Sequence, residues 1–264
     1  MSGVVIAGKV ELLPRGLGPV YNFLERPEIA LRAGEDKRPR HGRWVHTIGV
    51  HNTKNRKTRV EPGTGPSTDL AGRVARYWST DRRNAGAHLC VDWDCAVSCH
   101  CDLLHDAAYH MGSFNEGSIG IEMYQNDAGT LYEAQIAATV TLIEWLCRRF
   151  NIQRQMPAAG SSHSAHSKVL ARVAAGGTNC VGVFGHWHNS EAKQEDPGRE
   201  IFEALAKAGF HEFDFGAEDD LDYWETIQAK LGLHADGIPG PMTCDALQAR
   251  GFDCGLYDLT TEIT

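Results

Sequence analysis

An α/β fold followed by a small helical appendage is what this sequence predicts, on three observations. Short β-like apolar runs recur along the chain, among them WVHTIGV at 44–50, SIGIEMY at 118–124 and CVGVF at 180–184. Amphipathic segments at 130–150 and 200–208 alternate with them, their apolar residues spaced by three or four. After an acidic stretch at 212–222 the pattern changes to two short helical segments.

Taken in order, residues 1–40 are rich in Gly, Pro and Arg and read as an irregular arm. The run 44–50 is a strand, and His51 stands where its apolar character stops. Residues 54–67, with Gly, Pro and several charges, form a surface loop of the kind that borders active sites. A short helix is expected over 70–78, and short strands over 87–91 and 96–101. In the strand 118–124, Ile119, Ile121 and Met123 alternate with Glu122, which leaves that carboxylate on the opposite face. Thr130 and Glu133 make a capping box for the long helix, whose face carries Tyr132, Ile136, Val140, Ile143 and Cys147. A Ser/Ala/Gly-rich stretch at 158–177 separates it from the strand 180–184, which leads into Gly185 and His186. Asp196-Pro197-Gly198 opens the helix 200–208, with Ile201, Phe202 and Leu205 buried. Beyond the acidic stretch, Trp224, Ile227 and Leu231 fit one helix, Asp236-Gly237 a turn, and Gly240-Pro241 the start of a second helix bearing Leu247.

The chain has 264 residues, 42% of them hydrophobic, enough for one medium-sized core and a small second module. A net charge of −8 and a pI near 5.9 exclude the basic footprint that nucleic acids and anionic membranes select. No charged leader precedes an apolar stretch and no run reaches the length of a membrane span. Synthesis in the cytoplasm without a signal peptide, and no membrane insertion, are therefore expected. In that reducing compartment the eight cysteines are expected to be thiols. Those between 90 and 101 include no C-x-x-C pair and make a poor zinc motif.

Four residues carry the chemistry. His51 and His186 each follow a β-like run, Glu122 lies on a strand, and Asp196 stands in the loop after the second histidine. Two imidazoles and a carboxylate can hold zinc with a fourth position left for water, and a carboxylate outside the metal shell can move the proton. Spacing alone leaves other readings open among thirteen histidines. Either histidine is also readable as a satisfied polar residue, and His188 competes as a ligand. Asp196 before proline is a good helix N-cap, and Glu122 also reads as an exposed strand residue.

Five blocks, IGVHNT (48–53), AGAHL (85–89), AYHMG (108–112), NEGSIGIEM (115–123) and VFGHWHNSEAKQEDPG (183–198), occur in a telling order. Together they resemble the zinc-dependent N-acetylmuramoyl-L-alanine amidases (amidase type 2) of the peptidoglycan-recognition-protein-like superfamily, which includes phage endolysins. The resemblance spans about residues 42–210 and implies a central mixed β-sheet flanked by helices. It implies Zn2+ in a surface groove, held by His51, His186 and Asp196, with Glu122 as the catalytic base. It also implies substrate-binding positions at His88, His110, Asn115 and His188, with packing the other reading for His88 and His110. Many relatives carry a lysine two residues before the ligand aspartate, where it stabilises the oxyanion. Here that position is Gln194 and the nearest lysine is Lys193, so both are catalytic candidates, with His188 a third.

The C-terminal segment 225–252, with IQAKLGL, DGIPGPMT and ALQ in order, is similar to the small helical peptidoglycan-binding domain of wall hydrolases. The implied organisation is an N-terminal extension (1–40), a catalytic domain (41–211), an acidic linker (212–222) and a wall-binding domain (223–258). The implied partner is bacterial peptidoglycan. The implied setting is a phage endolysin that reaches the wall after the membrane is permeabilised. A cytosolic amidase recycling wall fragments and a non-catalytic peptidoglycan receptor are the alternatives.

Overall fold

The computed structural model describes residues 3–40, 45–53, 74, 78, 85–125, 130–157, 182–188, 196–213, 219–235 and 241–250. The loop expected over 54–67, most of the helix expected over 70–78 and the stretch 158–177 lie outside those residues. Along the chain the strands are β1 (Val4–Ile6), β2 (Lys9–Glu11), β3 (Val20–Asn22), β4 (Lys37–Pro39), β5 (Thr47–Asn52) and β6 (Leu89–Val91). They continue with β7 (Val97–Cys99), β8 (Asp106–Ala108), β9 (Ser118–Met123), β10 (Gln155–Pro157), β11 (Gly182–Gly185) and β12 (His211–Phe213). The helices are α1 (Glu133–Phe150), α2 (Glu200–Lys207), α3 (Asp219–Leu231) and α4 (Pro241–Ala249).

A six-stranded mixed sheet in the order β11-β5-β9-β6-β7-β3 organises the molecule. The strands from β11 to β6 run parallel, β7 turns back antiparallel to β6, and β3 joins β7 in parallel. β5 and β9 repeat one local pattern in register, Ile48-Gly49-Val50-His51 beside Ile119-Gly120-Ile121-Glu122. Side chains alternate across a strand, so Ile48, Val50, Ile119 and Ile121 share one face while Gly49, His51, Gly120 and Glu122 share the other. The apolar face is covered by helices: Leu142, Ile143 and Leu146 of α1 and Ile201, Phe202 and Leu205 of α2 belong to the same buried cluster as these strands.

Helix α1 starts at Glu133 rather than Thr130. The cause is Gln135, whose buried side-chain amide donates to the carbonyls of Val91 and Tyr124 and so ties the first turn to the sheet. Its buried stripe includes Ala138, Leu142, Ile143, Leu146 and Cys147, and the expected Ile136 and Val140 sit at the margin. Asn151 ends it in the left-handed region, φ 53°. Asp196 and Pro197 do not cap α2, which begins at Glu200.

Residues 3–40 are packed, contrary to the irregular arm expected from their composition. Val4, Val5 and Ile6 are fully buried or nearly so, β3 forms an edge of the central sheet, and β4 pairs with β8. The Gly and Pro content reflects tight turns between short strands, such as the β1–β2 hairpin turned by Ala7 and Gly8. Arg40 is buried, and its guanidinium donates to the carbonyls of Leu104, Asp106, Glu116 and Ser118. Near the C-terminus, α3 buries Ile227 and Leu231, α4 buries Leu247, and Gln228 donates to Thr243 Oγ1 at 3.4 Å. Cys90, Cys95, Cys99 and Cys101 are thiols, and burial pushes Cys99 up to about 12. No helix of the described residues is long and apolar enough to cross a membrane.

Candidate active site

Parallel pairing brings the distant chemical residues together. His51 on β5 is in register with Glu122 on β9, and their side chains share the face opposite the helices. Gly185 pairs with Val50 on the other side of β5, so His186, one residue further, emerges beside His51. All three stand at the C-terminal ends of parallel strands, where the chain of an open α/β sheet leaves a crevice. Asp196 returns to this edge from the loop before α2. Its carbonyl accepts from Trp187 N–H at 3.0 Å, and its Oδ1 accepts from Asn52 N–H at 2.9 Å. Pro197 and Trp187 close over Gly185, where a Cβ would meet Pro197 Cδ at 2.8 Å.

The side chains converge on one point. His51 Nδ1 and His186 Nδ1 are 3.1 Å apart, and Asp196 places Oδ2 at 3.2 Å from His186 Nδ1 and Oδ1 at 3.7 Å from His51 Nδ1. Metal–donor bonds of about 2.0–2.1 Å in a tetrahedral site require donors roughly 3.3 Å apart, and these three separations bracket that value. Nitrogen lone pairs and a carboxylate held so close form a donor set that a cation can bridge. Burial would raise Asp196, yet the adjoining His186 and His51 imidazoles and a hydrogen bond from Asn52 N–H hold it well below the ordinary carboxylate range. Among the described residues this is a group able to hold a metal ion. Glu122 lies beside it, half-buried and one strand over. Behind it, His51 Nε2 sits 2.9 Å from His110 Nδ1.

The family described as N-acetylmuramoyl-L-alanine amidase (Amidase_2) matches residues 41–199, more than half of the chain and all four of these positions. The chain belongs to that amidase family. Among solved structures, it is similar to the catalytic domain of XlyA (22% identity, 73% of this chain and 99% of that one, TM-score 0.46). The amidase LysCS from Clostridium intestinale is similar at 12% identity, over 73% of this chain and 97% of that one, with a TM-score of 0.45. Drosophila PGRP-LB is similar at 14% identity, over 74% of this chain and 96% of that one, also with a TM-score of 0.45. Among curated protein sequences no significant match is found.

In this amidase-family chain, of the four residues expected at substrate, His88, His110 and His188 are buried and Asn115 is half-buried. His88 is fully buried: Nδ1 accepts from Gly120 N–H at 2.9 Å, and Nε2 lies 3.0 Å from Asp106 O. Burial, with Arg40 adding to it, pushes His88 down to about 3. Its ring is sealed from solvent against β9, which favours the packing reading of this residue over the substrate one. His110 is also buried and backs His51 rather than facing a groove. Burial holds its imidazole well below the ordinary range, with the neighbouring histidines acting in the same direction. Asn115 uses Oδ1 to accept from the backbone N–H groups of His110 and Met111, which shapes the turn that aims His110. His188 is buried against Phe184 and Phe202, with Nδ1 accepting from Gly185 N–H at 2.8 Å. Lys193 and Gln194 lie outside the described residues. Residue reasoning missed Asn52 N–H, which orients the aspartate, and Gly49, Gly120 and Ser118, which seat His110. A signal was present, since glycine inside a strand marks a close approach.

Proposed function

We propose that the chain is a zinc-dependent N-acetylmuramoyl-L-alanine amidase that hydrolyses the amide joining N-acetylmuramic acid to L-alanine in peptidoglycan. The observation that carries this is the convergence of His51 Nδ1, His186 Nδ1 and the Asp196 carboxylate at tetrahedral spacing, in a chain of the amidase family. The donor set suits zinc, with two imidazoles, one carboxylate and a fourth position for water. Bound zinc supplies Lewis acidity, making water a competent nucleophile near neutral pH and polarising the scissile carbonyl. Glu122, on the strand beside His51, takes the proton from water as it attacks the lactyl carbonyl and returns it to the departing alanine amine. Water is added across the C–N bond, leaving a carboxylic acid on the glycan side and a free amine on the peptide. Lys193 or Gln194 donates to the developing oxyanion.

We further infer that the enzyme works on intact wall as an endolysin. The reading rests on the peptidoglycan-binding-like motifs of 225–252, since tethering to an insoluble polymer raises the local concentration of the catalytic unit. The test incubates the purified protein with peptidoglycan, with and without chelator, and counts new alanine amines against new reducing sugar ends. Alanine amines that vanish with chelator and return with zinc are expected. Reducing ends alone make the protein a glycosidase, and a metal-free protein that still binds walls makes it a receptor. Glu122→Gln is expected to keep stoichiometric zinc while losing roughly 10²–10⁴-fold in turnover.

A further inference from the structure

Gly49 and Gly120 are partners in the register of β5 and β9, and together they leave a gap in the face of the sheet. The imidazole of His110 fills it. A Cβ on Gly49 would stand 2.7 Å from His110 Cε1, and one on Gly120 would stand 2.6 Å from His110 Cγ. His88 closes the side, edge-on at 5.7 Å between ring centroids. A ring held this tightly has fixed neighbours at both nitrogens: His51 Nε2 is 2.9 Å from Nδ1, and Ser118 Oγ is 2.9 Å from Nε2. Ser118 Oγ in turn lies 2.6 Å from the carbonyl oxygen of Phe114.

The donors and acceptors of this chain can be assigned one by one from its closed end. A carbonyl only accepts, so the single hydroxyl proton of Ser118 goes to Phe114. Ser118 Oγ therefore accepts, and the donor is His110 Nε2–H. Neutral His110 then carries a bare Nδ1, which accepts from His51 Nε2–H. His51 is left with its lone pair on Nδ1, the nitrogen that faces His186 and Asp196. A ligand histidine commonly donates its second N–H to a carbonyl, carboxylate or water. Here another histidine takes that place, and it accepts only because a serine and a backbone carbonyl dictate which of its own nitrogens is bare.

We propose that His110 is a positioning residue which, through Ser118 and the Phe114 carbonyl, holds His51 as the tautomer protonated at Nε2 and so presents Nδ1 to the metal. The inference rests on the metal reading of the site. Its test has two independent readouts: the tautomer of His51 in metal-free, ¹⁵N-histidine-labelled protein, and zinc affinity by chelator competition. His51 is expected to be protonated at Nε2 in the parent protein. His110→Phe keeps a ring in the glycine slot and removes the acceptor, and is expected to weaken zinc binding roughly 10–100-fold and to mix the His51 tautomers. Ser118→Ala, which leaves the ring in place, is expected to show a smaller loss of affinity and the same mixing, and Ser118→Thr to restore the parent behaviour. A His51 protonated at Nδ1 in the metal-free parent overturns the proposal, as does zinc binding at parent affinity in both His110→Phe and Ser118→Ala. A parent protein that binds no zinc removes the metal reading instead, and the tautomer spectrum then decides the relay by itself.

Discussion

At the residue scale, histidines do two different jobs in this protein, and their partners separate them. His51 and His186 meet a carboxylate, whereas His88 and His100 are sealed inside as neutral rings. His100 places Nδ1 2.8 Å from Ile29 O and Nε2 2.9 Å from Ser98 Oγ. Burial pushes it down to about 4, and His88 to about 3. The unfolded chain takes up these two protons near pH 6.5, while the native protein resists until pH 3 to 4. Across that interval the unfolded state binds more protons, so stability rises with pH. The contribution is complete above about pH 7 and is lost as pH falls from about 6.5 through the folded values, on the order of 3 kcal/mol for His100 alone. Urea denaturation from pH 7 down to 4 is expected to show this decline, with a shallower slope in His100→Gln. An unchanged slope assigns the acid sensitivity to other groups.

At the element scale, the paired sequences IGVH and IGIE show how one strand serves two faces. Their isoleucines and following apolar residues bind the helices, while the glycines and the residues after next build the site. The faces should respond separately to substitution. Gly120→Ala drives a methyl into the His110 ring, with an expected cost of about 1–3 kcal/mol and weaker zinc retention. Ile121→Val, one residue on and facing the helices, is expected to cost about 0.5–1.5 kcal/mol and leave zinc binding alone. Thermal denaturation with parallel zinc titration distinguishes the two, and equal zinc affinity in Gly120→Ala would remove the slot from the site. The positions of β5, β6, β7, β9 and β11 were readable from their apolar runs, whereas β1 to β4, β8, β10 and β12 were not. The pairing order was not, because parallel neighbours such as β5 and β9 are separated by the whole of β6 to β8 and nothing local states which strands meet.

At the scale of the whole molecule, residues 3–40 are tied to the central sheet although the family match begins at 41. β3 completes an edge of the sheet, and Arg40 ties the segment to the β9 side by donating to carbonyls from two separate stretches of chain, 104–106 and 116–118. Removing that guanidinium strands several buried acceptors. Arg40→Met is expected to lower stability by roughly 2–5 kcal/mol in urea unfolding, and an unchanged midpoint would make the segment a dispensable arm after all. Composition misled here because glycine and proline are as frequent in tight turns between short paired strands as in unpacked chain.

By itself, the sequence determined the α/β class, the strand ends that carry His51 and His186, and the family, since alternation, turn residues and ordered motif blocks are all local properties. Several decisions needed the tertiary structure. Whether Asp196 is a helix cap or a donor beside the histidines depends on where its loop returns. Whether His110 and His88 touch substrate or stand behind the site depends on which strands are neighbours. Burial and hydrogen-bond direction are properties of the assembled sheet, so only there does His51 acquire a nitrogen to offer.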